Sequence, residues 1–245
     1  MKIILNGALG RMGEEVDNLI KKGYKGITVA AYCDVSSLTP EVYNKLSAIT
    51  VEADAVVDFS HHSATETLCG YAIARNIPLV IATTGQTGEE MTVIQTAAKA
   101  VPIFLSPNMS AGVAFLNAVV RKAAAFFSDA DIEIVERHHN RKVDSPSGTA
   151  KLLAETVSSA TGGEIVYGRN GLSPRKKGEI GISAVRGGNV KGIHEVTFYS
   201  ENETFTITHS AESRGMFAEG ALTAALFLQG KKPGLYTMKD LFGDL

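Results

Sequence analysis

Apolar and polar positions along the first hundred residues follow two rhythms. Short, almost uninterrupted apolar runs at 2–5, 27–32, 55–59, 78–82 and 101–105 are separated by stretches in which apolar residues return every three or four positions. The runs have the length of strands, whereas Met12, Val16, Leu19 and Ile20, and the stretches 63–75 and 88–99, have helical spacing. Strand, helix and strand in this alternation predict a parallel sheet with helices on its faces.

From about residue 131 the rhythm changes. Segments 131–136, 180–185, 194–200 and 203–210 read as strands, with turns at Gly187-Gly188-Asn189 and Glu201-Asn202. One helix over 148–160 interrupts them, with Ala150, Leu153, Val157 and Ala160 on one face and Gly162-Gly163 past its end. This predicts an α+β unit on a mostly antiparallel sheet. A last apolar helix over 217–228 is followed by Pro233-Gly234. The boundary near 106 is a change of pattern, because neither composition nor a linker marks it.

Composition narrows the picture without deciding it. With 245 residues, 44% of them hydrophobic and 20% charged, the chain can bury a core without disulfide or metal staples. A net charge of −2 gives no reason to expect nucleic acid or an anionic membrane as partner. The N-terminal apolar run is too short for a signal peptide, and no run approaches the roughly 18 apolar residues of a membrane span. Cys33 and Cys69 form neither a metal cluster nor a C-x-x-C pair. A reduced state, a cytoplasmic location and no metal are therefore expected.

Three segments carry candidate chemistry. Gly7-Ala8-Leu9-Gly10-Arg11-Met12-Gly13 joins the first strand to the first helix, where glycines let the backbone turn and approach a pyrophosphate held at a helix N-terminus. Leu9 stands at the usual middle glycine, and Asp34 ends the second run, where a carboxylate can hold a ribose. The first domain is thus expected to be Rossmann-type and to bind a dinucleotide. Ala82-Thr83-Thr84-Gly85 and Ser106-Pro107-Asn108-Met109 follow later strands and face the same ligand edge, or else make ordinary turns with helix caps. The third segment is Glu136-Arg137-His138-His139-Asn140-Arg141-Lys142-Val143-Asp144-Ser145-Pro146-Ser147-Gly148-Thr149-Ala150. It brings two His and a Lys, groups that exchange protons, to a helix start where Ser147, Gly148 and Thr149 can hold a carboxylate. Its bland alternative is a charged loop before a capped helix. His61-His62 reads as a polar helix entrance, Arg175-Lys176-Lys177 as a solvated loop, and Arg186 and Arg214 as surface pairs or contacts across a subunit boundary.

These motifs together resemble the dihydrodipicolinate reductase family of bacterial lysine and diaminopimelate biosynthesis. Gly7–Gly13, Asp58-Phe59-Ser60, Ala82–Gly85, Ser106–Val113, Glu136–Ala150, Arg186-x-Gly with Gly192-x-His194, and the Ser213-Arg214 to Ala221 segment all fit, nearly end to end. The resemblance implies an NADH- or NADPH-dependent reductase acting on a small dicarboxylate, 4-hydroxy-tetrahydrodipicolinate, with loss of water. It implies His138 as general acid/base and Lys142 as proton donor. His139, Ser147, Gly148 and Thr149 would bind substrate, and Gly7, Ala8, Leu9, Gly10, Arg11, Met12, Asp34, Ala82, Thr83, Thr84, Ser106, Pro107, Asn108 and Met109 the cofactor. Residues 1–106, completed by 215–245, would bind the dinucleotide, and 107–214 would bind substrate and build a homotetramer. Three departures stand out: the segment from Asp34 to Asp58 is short for the family, Val35 replaces a frequent Arg after the acidic residue, and His62 replaces a frequent Pro. The competing readings are a nicotinamide-dependent dehydrogenase of another small dicarboxylate or amino acid, and a non-catalytic dinucleotide sensor. A semialdehyde dehydrogenase would need a nucleophilic Cys in the second domain, where this chain has none.

Overall fold

The first six strands are β1 (Lys2–Asn6), β2 (Thr28–Cys33), β3 (Val42–Tyr43), β4 (Ala55–Asp58), β5 (Leu79–Ile81) and β6 (Pro102–Leu105), all parallel in a computed structural model that describes residues 1–243. Their side chains alternate between two cores. Ile4, Val56, Leu79, Ile81 and Ile103 face Leu68, Cys69 and Ala72 of α2 (Thr65–Arg75) and Ile94 and Ala97 of α3 (Gly88–Ala97). Ile3, Leu5, Val57, Val80 and Phe104 face the other way, onto Val16 of α1 (Arg11–Lys21) among others. Burial on both faces is why these runs carry so few polar residues. The chain lays β2 and β3 on one side of β1, then returns to place β4 on the other. The carboxyl ends of β1 and β4 therefore mark the point where strand order reverses, the position at which such sheets take ligands.

The second unit begins with α4 (Ala111–Phe126), a helix that the expected boundary near 106 left unassigned. After it come β7 (Asp131–His138), α5 (Gly148–Thr161), β8 (Glu164–Tyr167), β9 (Glu179–Arg186), β10 (Ile193–Tyr199) and β11 (Thr204–Ser210). Strand order is β11-β10-β7-β9-β8, with β10 antiparallel to β7 and β11, and β9 parallel to β7 and β8. The sheet is thus mixed rather than mostly antiparallel, because α5 carries the chain from β7 to a β8 of the same direction and residues 168–178 return it to place β9 parallel between them. The glycine turn at 187–189 does not join neighbours: β7 lies between β9 and β10, so the connection passes over the carboxyl end of β7. One face of the sheet (Ile132, Ile134, Ile180, Ile182, Val196 and Phe198) packs under α4 and α5. Arg175 is not the solvated loop residue expected: its Nε lies 2.9 Å from Asp131 Oδ1, and it also bonds the Glu133 carboxylate and the Glu179 carbonyl. Lys177 does stay exposed.

The chain then returns to the first unit through α6 (Gly215–Phe227), β12 (Gly234–Tyr236) and α7 (Met238–Phe242). Strand β12 pairs in parallel with β6 and completes a seven-stranded sheet of order β12-β6-β5-β4-β1-β2-β3. The two compact units are 1–111 with 214–243, and 112–213; residues 244–245 of the expected closing segment lie outside the described residues. Helix α6 buries Ala218, Ala221, Leu222, Ala224 and Ala225 in the core shared with α1. Gly220 in this helix faces the carbonyl of Met109, and a methyl group there would fall inside the van der Waals envelope of that oxygen. Ala within a helix normally gains about 1 kcal/mol over Gly. Here overpacking reverses the sign, and Gly220→Ala is expected to destabilise by about 2 kcal/mol. Calorimetry of the variant checks this; a raised Tm would contradict it.

Candidate functional site

At the carboxyl edge of the parallel sheet, Asn6 Nδ2 donates to Asp58 Oδ1 at 2.7 Å, tying the ends of β1 and β4 together. Gly7 follows with φ +77°, and a Cβ there would meet the Phe59 carbonyl carbon at 2.6 Å, so only glycine lets these backbones pass. The N–H groups of Gly7 and Ala8 donate to the Cys33 carbonyl at 2.9 and 3.1 Å, and that of Leu9 to Asp34 Oδ2 at 3.0 Å. Gly10 caps α1 in extended conformation without a side chain, so no side chain competes for the N–H groups of the first turn. A cavity of about 590 Å³ opens here, lined by Gly7, Gly10, Asp34, Val35, Lys45 and Ser60 among others. Burial pushes the Asp34 carboxyl up, but hydrogen bonds from Ser36 and from the Leu9 N–H outweigh it and hold the group below its ordinary value. It faces the cavity as an anion.

Two further turns lie on this edge. Gln86 Nε2 donates to the Thr83 carbonyl and hydroxyl at 3.1 and 3.0 Å, fixing the turn after β5. After β6, Ser106 Oγ donates to the Asn108 carbonyl at 2.7 Å, and the Ser110 N–H donates to Asn108 Oδ1 at 2.9 Å. Met109 is buried and Pro107 exposed. His61 and His62 form the entrance to α2 as expected: His61 caps a short turn, and His62 Nδ1 lies 2.9 Å from both Glu90 carboxylate oxygens.

The second unit holds a different constellation. Along β7 the buried positions alternate as Ile132, Ile134, Glu136 and His138, so the core face of the strand ends in a carboxylate and an imidazole. Register sets Arg186 of β9 opposite His138, and His194 of β10 opposite Glu136. Glu136 Oε2 accepts from His138 Nδ1 at 2.6 Å and from Arg186 Nη1 at 2.8 Å. Its Oε1 accepts from Arg186 Nη2 at 2.7 Å and from the Ser147 N–H at 2.8 Å. Burial raises the Glu136 pKa, but donation from Arg186, His138 and Ser147 more than offsets it, leaving the carboxyl below its ordinary value. Ser147 caps α5 by accepting from the Ala150 N–H at 3.2 Å, and its Oγ lies 2.9 Å from His194 Nε2. His194 is pushed down to about 4, chiefly by burial and then by the neighbouring His138, and is neutral at ordinary pH. Lys142 Nζ lies 2.7 Å from Asp144 Oδ1 at the mouth of the same loop.

Comparison with known proteins settles the lineage. Residues 1–109 match the family profile described as dihydrodipicolinate reductase, N-terminus, and residues 112–242 match its C-terminus. The chain belongs to the dihydrodipicolinate reductase family. A 4-hydroxy-tetrahydrodipicolinate reductase of Caldanaerobacter subterraneus subsp. tengcongensis is 46% identical over 246 residues, covering 98% of each chain. One from Clostridium novyi is 40% identical, covering 98% of this chain and 97% of the relative. In structure, dipicolinate-bound dihydrodipicolinate reductase from Paenisporosarcina sp. TG-14 superposes with TM-score 0.80 at 20% identity over 98% of both chains, which supports the shared fold. Dihydrodipicolinate reductases are nicotinamide-dependent oxidoreductases of lysine and diaminopimelate biosynthesis.

Within this family frame, the expected cofactor positions Gly7 to Met12, Asp34, Ala82 to Thr84 and Ser106 to Met109 all lie on the carboxyl edge of the first unit's sheet. Only Gly7, Gly10 and Asp34 of them line the cavity. His138, Lys142 and Ser147 gather at the end of β7 and the start of α5; His139 is half-buried beside them, and Gly148 and Thr149 open the helix. Glu136 opens the third motif but was expected to carry no role of its own, and Arg186 was expected as a surface pair or a contact across a subunit boundary; the structure makes it the clamp on Glu136. The signal for Glu136 was the period-two pattern Ile132-Ile134-Glu136-His138 continued two residues beyond the expected strand end.

Proposed function

We propose that this chain reduces 4-hydroxy-tetrahydrodipicolinate to tetrahydrodipicolinate, with His138 as general acid/base and Lys142 as proton donor. The observation that carries the reading is the end-to-end family match, joined to a buried imidazole whose Nδ1 is held by a carboxylate beside a helix-capping serine. Ser147, Gly148, Thr149 and His139 receive the substrate carboxylates at the start of α5, where backbone N–H groups and the helix dipole favour an anion. Lys142 and His138 move the protons: in the dehydration one leaves the ring carbon next to C4 and one goes to the departing hydroxide, and one more is given to the enamine left after reduction at C4.

The nicotinamide cofactor, when bound, supplies the hydride to C4. The first unit fits such a cofactor, because the Gly7 passage and the uncapped first turn of α1 leave room and donors for a pyrophosphate, and Asp34 stands ready for ribose hydroxyls. Ala82 to Thr84 and Ser106 to Met109 would hold its nicotinamide half. A homotetramer in the cytoplasm is part of the same proposal. No helix among the described residues is long and apolar enough to cross a membrane.

The reading is tested by absorbance at 340 nm, with substrate generated from pyruvate and aspartate semialdehyde by the preceding enzyme and with NADH and NADPH in parallel. Oxidation that needs both protein and substrate is the expected result; cofactor binding without oxidation would reject the assignment. NADH is expected to serve at least as well as NADPH, since the Asp34 anion repels a 2′-phosphate and Val35, which is 87% exposed, offers no cation. Val35→Arg is expected to raise the NADPH-to-NADH ratio of kcat/KM by about tenfold, the worth of one charge-assisted hydrogen bond. An unchanged ratio would mean that the phosphate does not lie beside residue 35.

A further inference from the structure

We propose that Glu136, clamped by Arg186, is a positioning residue that fixes the tautomer of His138 and couples it to the anion-holding turn at Ser147. The inference rests on the reading of His138 as the acid/base. A carboxylate has room for about four strong hydrogen bonds, and Glu136 receives four, all within 2.6–2.8 Å: one from His138, two from Arg186 and one from the Ser147 N–H. An ionised carboxylate only accepts, so His138 Nδ1 carries the proton and Nε2 is the nitrogen left for chemistry. Nε2 faces the segment that passes over β7, where a Cβ at Gly192 would come within 3.0 Å of it. The glycine keeps a side chain off the working nitrogen.

The same carboxylate reaches both halves of the substrate apparatus. Its Oε2 orients the imidazole and its Oε1 holds the backbone of the residue that caps α5. Arg186 adds a third link, donating through Nη2 to the Asp144 carbonyl at 2.7 Å, next to the Lys142 ion pair. The acid/base, the proton donor's loop and the anion turn are therefore set by one buried ion pair. Besides Glu136, the ionisable groups around His138 are Arg186 on β9, His194 on β10, and Lys142 and Asp144 in the following loop. Glu136→Gln leaves the last three in place, whereas Arg186→Gln also removes the bond to the Asp144 carbonyl, so the Glu136→Gln shift belongs to the altered group and the Arg186→Gln shift is read for its sign.

The two variants are expected to move the enzyme in opposite directions. Glu136→Gln removes the anion beside the imidazole and places an amide N–H2 against other donors. The turnover is expected to fall about 100-fold, within the range of acid/base effects. The pH-profile limb that reports the imidazolium should move at least one pH unit lower. Arg186→Gln leaves the Glu136 charge unneutralised, and the same limb should move upward. Nitrogen-15 spectra of the imidazoles in the NADH-bound enzyme give a readout independent of turnover: Nδ1-protonated His138 in the parent, and an altered tautomer or titration in Glu136→Gln. On a His138→Gln background, Glu136→Gln should cost little more. Unmoved pH limbs and imidazole spectra in both variants, or equal losses from Glu136→Gln with and without His138, would overturn the proposal. If one variant does not fold, the sign of the shift in the other decides. Full activity of His138→Gln itself would instead overturn the acid/base reading on which this one rests.

Discussion

Replacing His138 with Gln is expected to lower reductase turnover by roughly two to four orders of magnitude, the usual yield of a positioned proton-transfer group. The size follows from placement. His138 is buried at the end of a core strand with its Nδ1 committed to Glu136, so one nitrogen alone faces the reaction. Gln keeps a similar polar volume but cannot shuttle a proton near neutral pH. The residues proposed for the dinucleotide all belong to the first unit, whereas His138 belongs to the second, and so NADH affinity should stay within about threefold of the parent. Measured kcat, KM for both substrates and NADH binding by fluorescence separate the outcomes. Retained turnover would remove His138 from the mechanism. Equal loss of cofactor affinity would show that the substitution had damaged the fold.

Between pH 6.5 and 4 the protein is expected to lose about 3 kcal/mol of stability through His194 alone, taking 1.36 kcal/mol per pH unit. Burial lowers this group from 6.5 to about 4. In the unfolded chain it takes up a proton near 6.5, whereas in the folded protein it stays neutral until about 4. Falling pH therefore feeds protons to the unfolded state first, and stability drops across that window. Above it His194 contributes no pH dependence, and below it the loss is complete. Glu136, Asp34 and Asp144 are all lowered carboxyls, so their contribution is lost further down, below their ordinary values, as protons reach the folded carboxylates. His194→Gln should flatten the upper window while preserving a hydrogen bond to Ser147. Urea unfolding at intervals from pH 7.5 to 4 checks this, and an identical slope in the variant would assign the pH dependence elsewhere.

What could be read from the sequence was what is local in the chain. The strand, glycine turn and helix around Gly7, and the run from His138 to Thr149, are contiguous segments whose neighbours along the chain are also their neighbours in space. The apolar runs named β1, β2, β4, β5 and β6, of which β1, β4 and β5 are buried almost throughout, whereas the short, partly exposed strands β3 and β12 carry no such run. Arg186 lies 50 residues from the carboxylate it clamps, and His194 lies 47 from Ser147. Both are brought in by strand register, which no local pattern states. The mixed second sheet escaped for a related reason: whether β9 runs with or against β7 depends on two crossovers, one through α5 and one through residues 168–178. Helix α4 was hidden because its Ala- and Val-rich stretch is apolar on most sides and follows a strand without a break in composition. Asp34 was identified by its place at the end of β2, but not its bond to the Leu9 N–H, which depends on the turn conformation.

The position of β12 has a consequence for how the protein is made. One of the two edge strands of the parallel sheet, with the helix α6 that fills one of its cores, is supplied by residues 214–243. The second unit is a continuous stretch that needs nothing from the segment after residue 213. The first unit, although it starts the chain, must wait with one hydrophobic face uncovered until the last thirty or so residues arrive. A chain stopped between residues 214 and 233 would keep every segment of the second unit and lack the edge strand β12 of the first.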